Sequence, residues 1–183
     1  DRGAAATELA DRRGPQDSVG GPTIEGCPVF PADNAWNRDV SADSLHPQSS
    51  RIIARIQAVG GDNLHPDFGE TPEYGIPYVV VDAAQPRVPV AYDAYGDESD
   101  PGPFPIPLDA PIEGGPTATG DRHVIAVQRG TCELFELYAA RPGPTGWTAQ
   151  SGARFDLRSN ALRPLGWTSA DAAGLPIFPG LVR

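Results

Sequence analysis

Glycine and proline each occur 21 times in 183 residues, together roughly twice their average usage. Proline removes a backbone donor and clashes with the preceding helical turn, while glycine gives up the most freedom when held in a regular element. A chain punctuated this often cannot sustain long helices or a coiled coil. Short strands and turns must carry the fold. One segment escapes the punctuation. Residues 49–59, SSRIIARIQAV, set Ile52, Ile53, Ile56 and Val59 on one face, with Ser49 or Ser50 placed to cap the start and Gly60 and Gly61 to end it.

Beyond Tyr74 the apolar period changes from a helix to a strand. The runs at 76–82, 87–92, 123–128, 133–139 and 147–151 are β-branched or aromatic, and Gly, Pro or Asp bounds each of them. Within ELFELYA, Phe135 and Leu137 alternate with Leu134, Glu136 and Tyr138, which predicts one apolar face and one mixed face. The intervening QRGTC supplies a tight turn, so residues 123–139 read as a hairpin. The count predicts a mainly β domain: an antiparallel sandwich or a small barrel, with one peripheral helix at about 49–59 and long Pro/Gly-rich loops. Residues 1–26 hold few large apolar side chains and read as a flexible tail or linker, leaving 27–183 as a single domain.

Charge narrows the partners. The formal net charge is -10, there is no Lys, and the 14 Arg are scattered from Arg2 to Arg183. A phosphate backbone needs clustered cations, so nucleic acid is not an expected partner. No apolar run approaches the length of a membrane span. The two cysteines, Cys27 and Cys132, lie more than half the chain apart, without CxxC or histidine-ligand spacing. A structural disulfide is the natural reading, with two buried thiols as the alternative. Closing so long a loop would stabilise the fold by roughly 4–5 kcal/mol in the chain-entropy view, and it implies an oxidising, extracellular setting.

Polar chemistry is densest at 93–123. Asp97, Glu98 and Asp100 follow a Gly96 turn and precede a proline-stiffened loop, a pattern that can point three carboxylates at a calcium ion. The spacing is not that of an EF-hand, and a solvated acidic turn is the structural alternative. Asp121, Arg122 and His123 stand where a polar loop enters an apolar strand, a place suited to a general acid or base. His123, Asp121, Glu113 and Arg122 are therefore the candidate catalytic set. His65, in LHPDFG, is the other histidine in a marked context. Two histidines and a carboxylate would suit a transition metal, but none of them has ligand spacing. Near the C-terminus Arg158 and Trp167 suit an acidic or ring-bearing sugar, although such arginines also form structural bridges. No GxSxG elbow accompanies Ser151, Ser159 or Ser169.

The strings GIPYVVV, GDESDPGPFPIPLDAPIEGG, GDRHVIAV, CELFELY, FDLRSNALRP and GWTSADAAGLPIFPGLVR together resemble a family of secreted proteins from bacteria and some fungi, over roughly 27–183. The resemblance implies secretion and carries over no activity or catalytic residue. It also implies that similar chains run on past GLVR into further strands, so a C-terminal companion fragment is an expected partner.

Two functions follow as expectations. The first is a secreted polysaccharide hydrolase or lyase. Hydrolysis would use a carboxylate pair drawn from Asp97, Asp100, Glu113 and Asp121, or His123 with a carboxylate. Lyase chemistry would use His123 or Tyr92 as base, with Arg122 neutralising a uronate. His65, Tyr92, Trp167 and Arg158 are the expected substrate contacts. The second is a non-catalytic glycan-binding or structural module with a calcium-stabilised acidic loop. Convergence of the polar groups in one cleft is what separates them.

Overall fold

A computed structural model describes residues 21–60 and 75–181. It is mainly β, with three sheets and one longer helix. The strands are β1 (Thr23–Ile24), β2 (Cys27–Pro28), β3 (Tyr78–Val81), β4 (Val90–Tyr92), β5 (Val124–Gln128), β6 (Glu133–Tyr138), β7 (Arg141–Pro142), β8 (Trp147–Ala149) and β9 (Ser151–Asp156). Helix α1 spans Ser49–Ala58, and 3-10 turns form at Gly96–Glu98 and Phe178–Gly180.

The central sheet has the order β3-β5-β6-β9 and a smaller one the order β4-β8-β7, while β1 and β2 form a two-stranded ribbon. The predicted hairpin is the β5–β6 pair, antiparallel from Val124↔Leu137 to Gln128↔Glu133. Two pairings depart from the antiparallel expectation, because β3 runs parallel to β5 and β4 parallel to β8. Long connections separate both pairs, as parallel neighbours require.

Every residue of β5 is buried, which is why VIAVQ is apolar without alternation: the sheet is covered on both faces. On one side Ile125, Val127, Leu134, Ala153 and Phe155 meet Val29, Phe30 and Phe178. On the other Val124, Ala126, Phe135 and Leu137 meet Phe104, Ile106, Trp147 and Ala149. The smaller sheet contributes the last two, so the two sheets face each other across a shared core.

Cys27 and Cys132 are bonded, with their Cα atoms 5.3 Å apart. The bond joins β2 to the β5–β6 turn. Two local expectations change. The helix starts after Gln48, which occupies the cap position without a side-chain hydrogen bond, so neither Ser49 nor Ser50 caps it. No residue of α1 is buried, and Ile52, Ile53 and Ile56 are about half exposed. Trp36 is 47% exposed and lies beside Gly180.

Candidate functional site

Sheet register builds the site. His123 precedes β5, Tyr138 ends β6 and Ser151 begins β9; Val124 pairs with Leu137 and Tyr138 with Ser151, so the three stand side by side at one end of the central sheet. Above them a cleft of about 620 Å³ opens, lined by Ile76, Tyr95, Glu98, Asp121, His123, Tyr138, Ser151 and residues 168–172 with Ile177.

Each wall has its own fastening. The Glu98 side of the cleft is docked on β9: Ser99 Oγ accepts from the Gly152 N–H at 3.1 Å and the Asp100 N–H donates to the Gly152 carbonyl at 3.0 Å. Glycine is required at 152, because a Cβ there would run into the Tyr92 hydroxyl and come within 2.9 Å of Leu137 Cδ2. The opposite wall is the segment 168–178. Ser151 Oγ donates to the Ser169 carbonyl at 2.6 Å, and Ser169 Oγ bridges to the Asp171 and Leu175 carbonyls.

His123 is buried and both ring nitrogens are engaged. Nδ1 lies 2.7 Å from Glu113 Oε2 and Nε2 lies 3.1 Å from the Ala170 carbonyl. Both partners are acceptors. The ring also packs against Tyr138, centroids 5.7 Å apart. Asp121 is exposed at the cleft mouth and makes no side-chain hydrogen bond among the described residues. Glu98 Oε2 accepts from the Thr168 N–H at 3.1 Å, and Asp171 Oδ1 from the Ala173 N–H at 2.8 Å. No arginine is among the lining residues, so three carboxylates set the sign of the field in the cleft.

The remaining predicted residues lie elsewhere or serve other contacts. Arg122 follows Asp121 with a positive φ of 52°. Its guanidinium is turned from the cleft and donates to the carbonyls of Ala140, Pro116 and Ala118 at 2.8–3.0 Å. The Tyr92 hydroxyl donates to the Asp100 carbonyl at 2.7 Å, and burial pushes its ionisation well above the usual tyrosine range. Arg158 braces the β5–β6 turn by donating to the Thr131 and Gly130 carbonyls. Trp167 lies beneath the Arg163 guanidinium. His65 lies outside the described residues.

The three proposed calcium ligands are not brought to one point. Glu98 turns to Thr168, while Asp100 accepts from the Arg154 N–H and pairs with Arg163. Asp97 is exposed and takes no part in either contact. Among the described residues no group of three His, Cys, Asp or Glu side chains is arranged to hold a metal. The physical reason is Arg163. Its guanidinium donates to Asp100, to the Glu98 carbonyl and, through Nε, to the Thr168 carbonyl, supplying the positive charge that an ion would otherwise provide.

Sequence reasoning missed Glu136. It lies on the mixed face of β6, fully buried, and accepts the N–H groups of Ile177 and Phe178 at 2.8–3.0 Å. Burial pushes its carboxyl up to about 7, and Asp171 adds to the rise, while the two amides and His123 pull the other way. A lone acid among Leu134, Phe135 and Leu137 is the signal that marks it.

No family model, curated protein or solved structure matches the chain.

Proposed function

We propose that the protein is an extracellular glycoside hydrolase whose active centre is the cleft at the end of the central sheet. The observation that carries this reading is the convergence of Glu98 and Asp121 with the aromatic side chains of Tyr95 and Tyr138 in one open cleft. Flat aromatic surfaces suit the apolar faces of sugar rings. Two carboxyl groups suffice for glycosidic cleavage: one protonates the leaving oxygen while its partner activates water or attacks the anomeric carbon. We assign these tasks to Glu98 and Asp121. Exposure suits Asp121 to proton exchange with water, and the Thr168 amide holds Glu98 in place.

The disulfide supports an extracellular setting. Between the two enzyme classes, hydrolysis is favoured over uronate lysis. Arg122 is committed to backbone carbonyls and Arg163 to Asp100 and carbonyls, so neither guanidinium is offered to a substrate acid. Neutral or amino-bearing polysaccharides are the expected substrates. His123, engaged at both nitrogens, then orients the cleft wall.

A non-catalytic glycan-binding module is the second reading, favoured by the 48% exposure of Tyr95 at the rim. One experiment separates them. The protein is incubated with neutral, amino-sugar and uronate polymers, and new reducing ends are counted. Hydrolysis of a neutral or amino-sugar polymer, reduced at least about 10²-fold in both Asp121→Asn and Glu98→Gln, is the expected result. Binding without new reducing ends selects the module. Full activity in both variants overturns the assignment of the carboxylates.

A further inference from the structure

Helix α1 presents an apolar side that the described fold does not cover. Ile52, Ile53 and Ile56, with Val59 at the C-terminal cap, form a stripe about 120° wide at 3.6 residues per turn. All four are about half exposed or more, and no residue of the helix is buried. Leu45, four residues before the helix, is almost wholly exposed. A helix of ten residues is marginal in water by itself, and packing of its apolar face is what ordinarily secures it.

The charge on the helix is the reverse of the charge on the protein. The chain as a whole carries a net -10, yet residues 44–60 contain no Asp or Glu. Arg51 and Arg55 stand one turn apart along one border of the stripe, while Ser50 and Gln57 line the other. Elsewhere Arg38, Arg87, Arg129, Arg154 and Arg163 all pair with Asp or Glu. Arg51 instead reaches Gln48 Oε1 at 2.7 Å, and neither helix arginine has a carboxylate partner among the described residues. Two like charges at this spacing repel each other, so an anion brought to them from outside is favoured.

We propose that α1 lays its isoleucine stripe on an anionic lipid bilayer, with Arg51 and Arg55 on the headgroup phosphates, and thereby holds the protein at a membrane surface.

The helix is too short to span a bilayer. An apolar stripe bordered by arginines on a short helix suits the interface plane, where the stripe enters the acyl boundary and the guanidiniums stay with the phosphates. A second copy of the chain fits the same face less well. Apposing two such stripes would gather four arginines with no acid on either helix, and four side chains cover far less than the roughly 800 Å² per partner of a stable interface. The acidic remainder of the protein sets the orientation. Its charges are screened beyond about 8 Å at physiological salt, and the nearest acid before the helix, Asp43, is paired with Arg38, so α1 is the part that can approach.

The test is co-sedimentation of the full, disulfide-bonded chain with sucrose-loaded vesicles at 0.1 M salt. One set is pure phosphatidylcholine and the other contains one-third phosphatidylglycerol. Association with the anionic vesicles and little with the neutral ones is the expected result. Arg51→Gln with Arg55→Gln should weaken it by roughly 25-fold, each arginine being worth about fivefold. Ile53→Ser with Ile56→Ser should weaken it at least about tenfold. These side chains are exposed, so both double variants should keep the parent melting temperature. Absence of association, equal association with both vesicles, or association that either double variant leaves unchanged overturns the proposal. So does a concentration-dependent dimer in vesicle-free solution that the isoleucine variant abolishes, since it would assign the stripe to a second copy.

Discussion

One oxygen of Glu113 holds His123 twice, accepting from its backbone N–H at 3.2 Å and lying 2.7 Å from its ring Nδ1. The amide of Glu113 donates back to the His123 carbonyl at 3.0 Å. Residues ten apart are thereby locked together at the point where the 113–122 loop enters β5, and the ring is aimed at Ala170.

That lock predicts a contrast between neighbours. Glu113→Ala leaves the buried ring without its acceptor and should lower stability by about 1–3 kcal/mol. Asp121→Asn, exposed and without a side-chain partner among the described residues, should stay within about 0.5 kcal/mol of the parent while abolishing turnover. Chemical denaturation paired with the reducing-end assay checks both. Equal destabilisation by the two substitutions would contradict the assignment.

Glu136 predicts how global stability varies with pH. Its carboxyl is pushed up to about 7 in the folded protein from an ordinary 4.5, so between those values the folded chain keeps a proton that the unfolded chain has released. The group's stabilising share is full below about 4.5 and is lost as pH rises through about 7. The loss is of order 3 kcal/mol, since each tenfold step is worth about 1.4 kcal/mol. Urea unfolding at pH 5, 6, 7 and 8 should show the decline, and Glu136→Gln should remove most of it.

Close approach predicts the effect of a single methyl group. Gly152→Ala would push a Cβ into the Tyr92 hydroxyl and towards Leu137, costing about 1–3 kcal/mol by overpacking. Adding Tyr92→Phe removes the hydroxyl and should return part of that loss. The double variant will not recover fully, because Leu137 Cδ2 is still only 2.9 Å away. Melting temperatures of the three proteins test the coupling.

The disulfide predicts a mass and a stability. Native protein should yield no alkylatable thiol, and reduction should add the mass of two hydrogen atoms. Replacing both cysteines with serine should cost about 2–5 kcal/mol. A parent-like denaturation midpoint in the double variant would show that the link contributes little.

What the sequence revealed depended on how local the determinant was. The β5–β6 hairpin was legible because alternation and a tight turn lie within one short stretch. So was α1, whose period is unmistakable even though its face is not buried. Strand β9 was not legible because Arg154 and Asp156 interrupt it, yet both lie on an exposed side while Ala153 and Phe155 point into the core. The parallel pairings, the engagement of Glu98 and Asp100 by Arg163, and the burial of Glu136 are tertiary meetings over more than 30 residues each, and no spacing rule encodes them. His123 and Asp121 were singled out because a strand mouth is a local feature. Arg122, their neighbour, was misplaced because a positive φ, invisible in the letters, turns it to the other side.

The Cys27–Cys132 bond closes a covalent ring that contains α1, the parallel partners β3 and β4, and the carboxylates Glu98 and Asp121. A protease that cuts once anywhere inside the ring opens a loop but releases nothing: both pieces remain attached through the sulfur bridge, still packed on the same two-faced sheet. Such a nicked molecule would migrate as one band without reductant and as two with it. Damage in the surface loops is thereby separated from loss of the carboxylate-bearing half of the cleft.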